Sequence, residues 1–270
     1  MNKTGSNRKY LSIPYAIFLL VFVVVPLMVI IRYAFTNGDG NVSFDNFIGF
    51  FTSPNTIGTL LYSLAIAVTT TVVCLLLGYP IAYILAKSNF KMKSVLVLVF
   101  VMPMWINFTL RITALKEILT VLEGNLSYHP FMNTIIGMTY DFLPFMILPM
   151  YTTLLKLDDS LIEAAHDLGA NSVQTFLKIT LPLSVPGIIS GVVMVFLPSM
   201  TNYVVLDMLY NKTYIMGSLI GAYFSVYDWH NGSMIALILL VIILIFTMWT
   251  NRFGEENNSR GGRSINEKDI

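Results

Sequence analysis

The sequence predicts an all-α membrane protein with six transmembrane helices. Of its 270 residues, 56% are hydrophobic and 11% are charged, whereas a soluble domain carries about 25% charged residues. Most of the surface is therefore expected to face lipid or other apolar protein. The formal net charge of +1 gives no indication of nucleic-acid binding, and none is predicted.

Six apolar stretches are long enough to cross a bilayer, which takes about 20 mainly apolar residues. The stretches lie at about 13–31, 59–85, 94–112, 134–155, 183–205 and 234–250. Together they predict a single transmembrane domain over residues 1–251. The polar remainder at 252–270 is rich in Gly, Asn and Ser, which predicts a disordered cytoplasmic tail.

The distribution of Lys and Arg predicts that both termini are cytoplasmic, because cytoplasmic loops are enriched in these residues. With the N-terminus inside, 12 of the 16 basic residues are cytoplasmic, and the four external ones are Arg32, Arg111, Lys116 and Lys212. Seven acids lie outside or in the outer halves of the spans, namely Asp39, Asp45, Glu117, Glu123, Asp141, Asp207 and Asp228. The external side is therefore net acidic, which favours a cationic solute.

A polar segment at 158–182 interrupts the apolar pattern between the fourth and fifth spans, on the predicted cytoplasmic side. Ser160–Glu163 has the spacing of a helix capping box, and Asn171–Gln174 offers a second capping signal. Gly169 is placed to end the first helix in a left-handed turn, and Pro182 is expected to stop the second. The pattern predicts two short amphipathic helices whose apolar faces need the membrane surface, the bundle or a groove on another protein.

This segment resembles the EAA motif, E-A-A-x3-G-x9-I-x-L-P, of permease subunits in binding-protein-dependent ABC importers. Every motif position matches with the same spacing. The segment contributes Glu163, Ala164, Ala165, Gly169, Ile179, Leu181 and Pro182 at motif positions, with His166 and Asp167 between them. The resemblance implies that these residues form a coupling helix inserted into a cleft of a separate ATPase subunit.

The resemblance covers nearly the whole chain from Ile13 to Trp249. The stretch YSLAIAVTTTVVCLLLGYPIAYILAKS resembles the second core helix of such permeases, and FLPSMTNYVVLDML is similar to the PotB-type subunit of spermidine/putrescine importers. The PotC-type partner typically carries a paired-Asp stretch after this helix, and no such stretch follows it here. The resemblance implies the type I ABC importer permease fold and transport by alternating access.

The resemblance also implies the partners and the location of the chain. A homologous PotC-type permease, two copies of a PotA-type ATPase, an extracytoplasmic PotD-type polyamine-binding protein and membrane lipids are expected, in a bacterial cytoplasmic membrane. ATP and Mg would bind to the ATPase, so no cofactor, catalytic residue or metal site is predicted in this chain. The alternative is an importer of another small solute, such as iron, thiamine or a phosphonate, because related permeases share the fold.

Six residues are candidates for the path of a polycation, which needs carboxylates for charge pairing and aromatic faces for cation–π contacts. They are Asp207, Trp105, Asp141, Tyr203, Tyr223 and Glu117. Each also has a structural interpretation: Asp207 as a solvated loop acid, Asp141 as a helix cap or a partner of Arg111, and Trp105 as packing or an interface anchor.

Two other classes of function are less well supported by the sequence. The chain lacks HExxH, GxSxG, a paired catalytic Asp motif and a P-loop, so an intramembrane enzyme is not indicated. A membrane receptor or scaffold could use segment 158–182 for docking but would not transport.

Gly187 and Gly191 form a small-xxx-small pattern, which predicts a close helix–helix contact within the chain or with a sister permease.

Overall fold

A computed structural model describes residues 13–88 and 91–261, and it contains no β-strand within these ranges. The all-α prediction is therefore confirmed. The helices are α1 (Ile13–Ala34), α2 (Asp45–Thr52), α3 (Pro54–Lys87), α4 (Lys93–Val101), α5 (Phe108–Glu123), α6 (Pro130–Leu155), α7 (Ser160–Asp167), α8 (Ser172–Ser199), α9 (Tyr203–Met208), α10 (Met216–Ser225) and α11 (Trp229–Gly261).

Five of these helices are individually long and apolar enough to cross a membrane: α1, α3, α6, α8 and the part of α11 from Trp229 to Thr250. A sixth span arises if the pair formed by α4 and α5 is counted as one broken crossing. The structure is thus compatible with the six predicted spans. The prediction that both termini are cytoplasmic stays a prediction.

The third predicted span, at 94–112, is not a continuous helix. A 3-10 turn at Met102–Trp105 follows α4, and the chain then bends by 98° before α5. Pro103 has no amide hydrogen for the helical ladder, and Ile106 is extended with φ −79° and ψ 142°. The side chain of Asn107 then accepts a hydrogen bond from the Thr109 amide at 2.9 Å, which starts α5 as a new helix.

Helix α8 passes through Pro182 without stopping, so the predicted end of the second short helix is wrong. A wider π-type stretch covers Phe176–Thr180, and its last hydrogen bond runs from the Leu181 amide to the Phe176 carbonyl. Pro182 follows directly, and its missing amide hydrogen is accommodated at this change of helical pitch. The fifth span therefore begins within the polar segment, at Ser172, and ends at Ser199 rather than at 205.

The last helix continues beyond the membrane-spanning length into the predicted tail. Residues 252–261 are helical and 262–270 lie outside the described residues, so the disordered tail at 252–270 stays a prediction. No proline follows Trp229 in the sequence. Because each added residue extends a formed helix at little cost, α11 propagates past the apolar stretch.

Helices α6 and α8 pack closely through small residues. A Cβ atom on Gly187 would lie 2.7 Å from the Thr153 hydroxyl oxygen, and one on Gly191 would lie 2.7 Å from the Met146 sulfur. The Gly187 position is also limited by backbone, because its Cβ would lie 2.9 Å from the Pro149 carbonyl oxygen. The small-xxx-small pattern therefore lies at a helix–helix contact, as predicted, and that contact is within the chain.

The described chain divides into two compact units. One comprises residues 13–58 and 218–242, and the other comprises residues 59–88, 91–217 and 243–261. In the first unit, the Asn46 amide donates to the carbonyls of Ala34 and Thr36 and so secures the connection between α1 and α2. In the second, α6 supplies a fully buried core that includes Met138, Met146, Ile147, Met150 and Leu154. The single domain at 1–251 stays a prediction.

Candidate functional site

The segment after α6 begins with α7 and a turn that reverses the chain. The Ala170 amide bonds to the Ala165 carbonyl and the Gly169 amide bonds to the His166 carbonyl, each at 2.9 Å. Gly169 has φ +83°, which a residue without a Cβ adopts at no steric cost. These two bonds are those of a Schellman turn, so the predicted left-handed end of the first helix is confirmed.

The start of α7 differs from the predicted capping box at Ser160–Glu163, which does not form. Asp158 instead accepts a hydrogen bond from the Ser160 amide at 3.0 Å, because its side chain is placed two residues before the first helical amides. Hydrogen bonds from the Ser160 amide and then its hydroxyl, with a smaller contribution from the Lys87 charge, lower the pKa of Asp158.

The second capping signal is confirmed at the start of α8. The Asn171 side chain accepts from the Gln174 amide at 2.8 Å, and the Gln174 side-chain oxygen accepts from the Asn171 amide at 3.1 Å. Two amide groups that a helix start leaves without partners are satisfied reciprocally. The position where α8 begins is therefore fixed by two side chains outside the apolar part of the span.

Four large apolar side chains of segment 158–182 are exposed: Leu161, Leu168, Val173 and Leu177. Leu168, in the turn itself, is 89% exposed. Of the motif residues, Ala165 is buried and Ile179 and Leu181 are partly buried, whereas Glu163, Ala164, His166, Asp167, Gly169 and Pro182 are exposed. Exposed apolar residues on a capped, rigid segment are typical of a docking surface.

Lys87, which the sequence did not single out, connects this segment to the end of α3. Its ammonium donates to the Leu157 carbonyl at 2.9 Å and to the Asp159 carboxylate at 2.5 Å. The side chain of Lys87 is 13% exposed. The ends of α3 and α6 therefore lie on the same side of the bundle, as the distribution of basic residues predicts.

Among the substrate-path candidates, Asp141 is buried and paired. The Arg111 guanidinium donates from Nη2 to Asp141 Oδ1 at 2.6 Å, and the two side chains are 7% and 6% exposed. Within the described residues, Arg111 Nε and Nη1 have no hydrogen-bond partner. The pairing interpretation of Asp141 thus has direct geometric support, whereas a role in the path has none beyond its depth.

The other candidates lie in different settings. Trp105 is 75% exposed at the bend between α4 and α5, so it does not pack inside the chain. Asp207 and Tyr203 are exposed on α9, four residues apart and therefore on one face. Glu117 is exposed on α5, and Tyr223 is partly buried on α10 in the other compact unit.

A cavity of about 410 Å³ opens at the end of α5 in the larger unit. Its lining includes Glu117 together with two residues that the sequence did not bring together, Lys116 and Tyr210. The Lys116 ammonium lies 4.5 Å from the centroid of the Tyr210 ring. No sequence pattern links residues so far apart along the chain, so only the fold reveals this pair.

Residues 78–253 match the family described as the binding-protein-dependent transport system inner membrane component. The chain belongs to this family. It is therefore a transport component of an ABC importer and a multi-pass protein of the bacterial inner membrane. The EAA resemblance of segment 158–182 lies inside the matched region.

Curated relatives match along nearly the full length. The spermidine/putrescine transport system permease protein PotB of Haemophilus influenzae is 34% identical over 270 residues, which cover 90% of this chain and 94% of that protein. The protein of the same name from Escherichia coli K12 is 34% identical over 275 residues, covering 93% and 96%.

Two solved structures show the same fold at low identity. A bacterial alginate ABC transporter in complex with its alginate pentasaccharide-bound periplasmic protein has a TM-score of 0.70 at 16% identity, covering 94% of this chain and 96% of that chain. The MetNI methionine ABC transporter in an inward-facing conformation has a TM-score of 0.57 at 17% identity, covering 76% and 99%. The type I permease fold expected from the sequence is confirmed.

Proposed function

We propose that this chain is a PotB-type permease subunit of an ATP-driven importer for polyamines, with spermidine or putrescine as cargo. The observation that carries the proposal is 34% identity to spermidine/putrescine permeases over 90% or more of the chain. The excess of acids over bases on the predicted external side supports a cationic solute. The likeness to alginate and methionine transporters concerns the fold and says nothing about cargo.

The proposed assembly contains a PotC-type permease, two PotA-type ATPases and a PotD-type binding protein. A single EAA segment per chain supports a pair of permeases, because each segment serves one ATPase. The sequence has no P-loop, so ATP hydrolysis is placed on the partner. This chain then contributes a transport path and a mechanical connection, with no cofactor of its own.

In the proposed mechanism, the exposed residues of segment 158–182 dock in a cleft of the ATPase. Closure of the ATPase dimer on ATP draws the two coupling segments together and opens the permeases outward, and hydrolysis resets them. The Schellman turn at Gly169 and the capping box at Asn171–Gln174 support this role because they give the segment a fixed shape. A fixed shape is needed for a segment that transmits displacement rather than absorbing it.

The proposed path for the polyamine uses several weak contacts rather than one tight site. Asp207 and Tyr203 on one face of α9 offer a carboxylate beside an aromatic ring. Trp105 offers an exposed ring at the bend between α4 and α5. Glu117 and Tyr223 are proposed as outer contacts, and Asp141 contributes through its pairing with Arg111.

Uptake of radiolabelled spermidine and putrescine in a strain deleted for the chain tests the proposal. Restoration of uptake by the wild-type chain is expected, with Asp207→Asn several-fold slower. Asp39→Asn is the matched control, because Asp39 is an exposed acid of the loop between the first two spans on the same predicted side. Restored uptake of thiamine, iron or a phosphonate, but of neither polyamine, would overturn the cargo; equal rates for the two variants would overturn the role of Asp207.

A further inference from the structure

The cavity beside Lys116 and Tyr210 has the chemistry of an ammonium site. Its lining includes Glu117 and Tyr210, together with polar residues at the end of α5 and just after it. The remaining lining residues are Thr120, Gly124, Asn125, Leu126 and Ser127. A carboxylate and an aromatic face within one concave surface are the two groups that bind a primary or secondary ammonium.

The Lys116 ammonium lies over the face of the Tyr210 ring, 4.5 Å from the ring centroid, in a cation–π contact. Lys116 and Glu117 are neighbours in sequence, so on a helix their side chains point in different directions. Within the described residues neither of them forms an ion pair; the two pairs present are Lys87–Asp159 and Arg111–Asp141. The ring face is therefore the main partner of the Lys116 charge, and the Glu117 carboxylate remains open to a second cation.

The backbone holds Tyr210 in an unusual conformation that presents its ring. Its φ is +60°, a region that a residue with a bulky side chain rarely occupies. Leu209 before it is fully buried, and the Asn211 side chain after it donates to the Tyr62 hydroxyl at 2.9 Å and to the Thr134 hydroxyl at 2.8 Å. Buried neighbours on both sides thus impose the strain, and the ring stays half exposed over the cavity.

We propose that this cavity is an outer binding site for amines, in which Lys116 occupies the place of a substrate ammonium. This inference rests on the proposed function, since a polyamine brings several ammonium groups. One displaces Lys116 from the Tyr210 ring, and another pairs with Glu117, while the flexible Lys116 stem turns towards solvent. Because Lys116 competes with the cargo, the site binds weakly, as a site on a transport path must.

Binding of radiolabelled spermidine to the assembled transporter in nanodiscs, without the external binding protein, tests the site. Lys116→Gln frees the ring and removes a like charge, so spermidine is expected to bind more tightly, by about two- to fivefold for one exposed cation–π contact. In that background, Tyr210→Leu is expected to cancel the gain, whereas Tyr210→Phe keeps it. Glu117→Gln is expected to weaken binding several-fold.

Lys212→Gln is the matched control, because it removes one positive charge from the same predicted side, two residues from Tyr210, without lining the cavity. It is expected to leave spermidine binding unchanged. If Lys116→Gln and Lys212→Gln tighten spermidine binding equally, the gain is explained by the lower net charge alone, and the proposed site is overturned. No gain from Lys116→Gln would overturn it as well.

The binding and uptake experiments together distinguish failure of the amine site from failure of the proposed function. A transporter that imports polyamines but shows no change on Lys116→Gln contradicts the outer site alone. If the transporter imports no polyamine, binding of 1,4-diaminobutane and of butylamine to the same variants still decides the question. Tighter binding of both amines by Lys116→Gln would then support the amine site even though the proposed cargo has failed, and unchanged binding would reject the site as well.

Discussion

Arg111 and Asp141 form a buried ion pair, with 2.6 Å between Nη2 and Oδ1, that joins α5 to α6 in the membrane-spanning part of the larger unit. Two further guanidinium nitrogens are buried and, within the described residues, have no hydrogen-bond partner. Loss of the Asp141 carboxylate is therefore expected to lower the stability of the fold, because an unpaired guanidinium charge would remain buried in an apolar setting.

Removing one member of this pair is expected to destabilise the chain. Asp141→Asn and Arg111→Met should each cost about 3–5 kcal/mol, whereas the double change Arg111→Met with Asp141→Leu should come close to the wild type. Thermal unfolding of the purified transporter measures the difference. If the double variant is stable but no longer transports, Asp141 has a role in the path beyond its pairing.

Breaking the contact between Lys87 and Asp159 is expected to uncouple the transporter without unfolding it. Lys87→Met removes the hydrogen bonds to the Leu157 carbonyl, just before segment 158–182, and to the Asp159 carboxylate within it, so the segment is held less firmly against α3. The expected result is fewer solute molecules imported per ATP hydrolysed, with ATPase association retained. Lys91→Met, a lysine on the same predicted side with an exposed side chain, should leave the ratio unchanged.

The exposed apolar residues of segment 158–182 are expected to bind the ATPase if the proposed docking is right. Leu168→Asp changes a side chain that is 89% exposed, so the fold should persist while ATPase association falls at least tenfold. Co-purification of the ATPase with the permease measures it. Val121→Asp provides the control, because Val121 is 85% exposed on α5, on the opposite predicted side. Normal association of the Leu168 variant would contradict the docking role.

The cap at the start of α7 is expected to survive mild acid. Hydrogen bonds from Ser160 lower the pKa of Asp158, so the stabilisation is present above the ordinary Asp pKa and is lost only as the pH falls through the lowered value. Wild type and Asp158→Asn should therefore transport equally well from pH 5 to 8. Asp158→Ala should increase hydrogen exchange in the first turn of α7 several-fold. A loss of transport by the wild type alone between pH 5 and 8 would contradict this assignment.

Two glycines of α10 are expected to respond oppositely to alanine. A Cβ on Gly217 would lie 2.1 Å from the Thr201 carbonyl oxygen, whereas one on Gly221 would meet nothing within 4 Å. Gly217→Ala should therefore destabilise by about 1–3 kcal/mol through overpacking. Gly221→Ala should stabilise by up to about 1 kcal/mol through helix propensity. Thermal unfolding of both variants tests the contrast, and equal shifts would contradict the close approach at Thr201.

Signals that depend on local sequence predicted their parts of the structure well. Four apolar stretches each lie within a single helix, Gly169 adopted its left-handed turn, and Asn171–Gln174 formed its capping box, because each depends on residues within a few positions of one another. The failures arose where neighbouring signals competed. At the start of α7, Asp158 accepts the hydrogen bond from the first helical amide, and the predicted capping box of Ser160 does not form. Before Pro182, a wider helical turn accommodates the missing amide hydrogen, so the helix does not end there as predicted.

Pairings between distant residues were largely beyond the sequence. Arg111 could be named as one possible partner of Asp141, since both fall at similar depth on successive spans. The contacts of Lys87 with Asp159 and of Lys116 with Tyr210 depend on how helix ends meet, and no periodicity reports that. The two residues that define the outer cavity therefore emerged from the fold alone.

Because α8 continues through Pro182, one helix connects the polar segment with the apolar span. Its 28 residues span about 42 Å at 1.5 Å per residue, from the capping box at Asn171–Gln174 to the end at Ser199. Helical structure continues from the part outside the apolar stretch into the part within it, through the wider turn at Phe176–Thr180. A tilt of about 5° at one end of a rod this long displaces the other end by about 4 Å. If segment 158–182 docks on an ATPase as proposed, a small tilt at Asn171–Gln174 is therefore expected to displace the opposite end of α8 by a comparable distance.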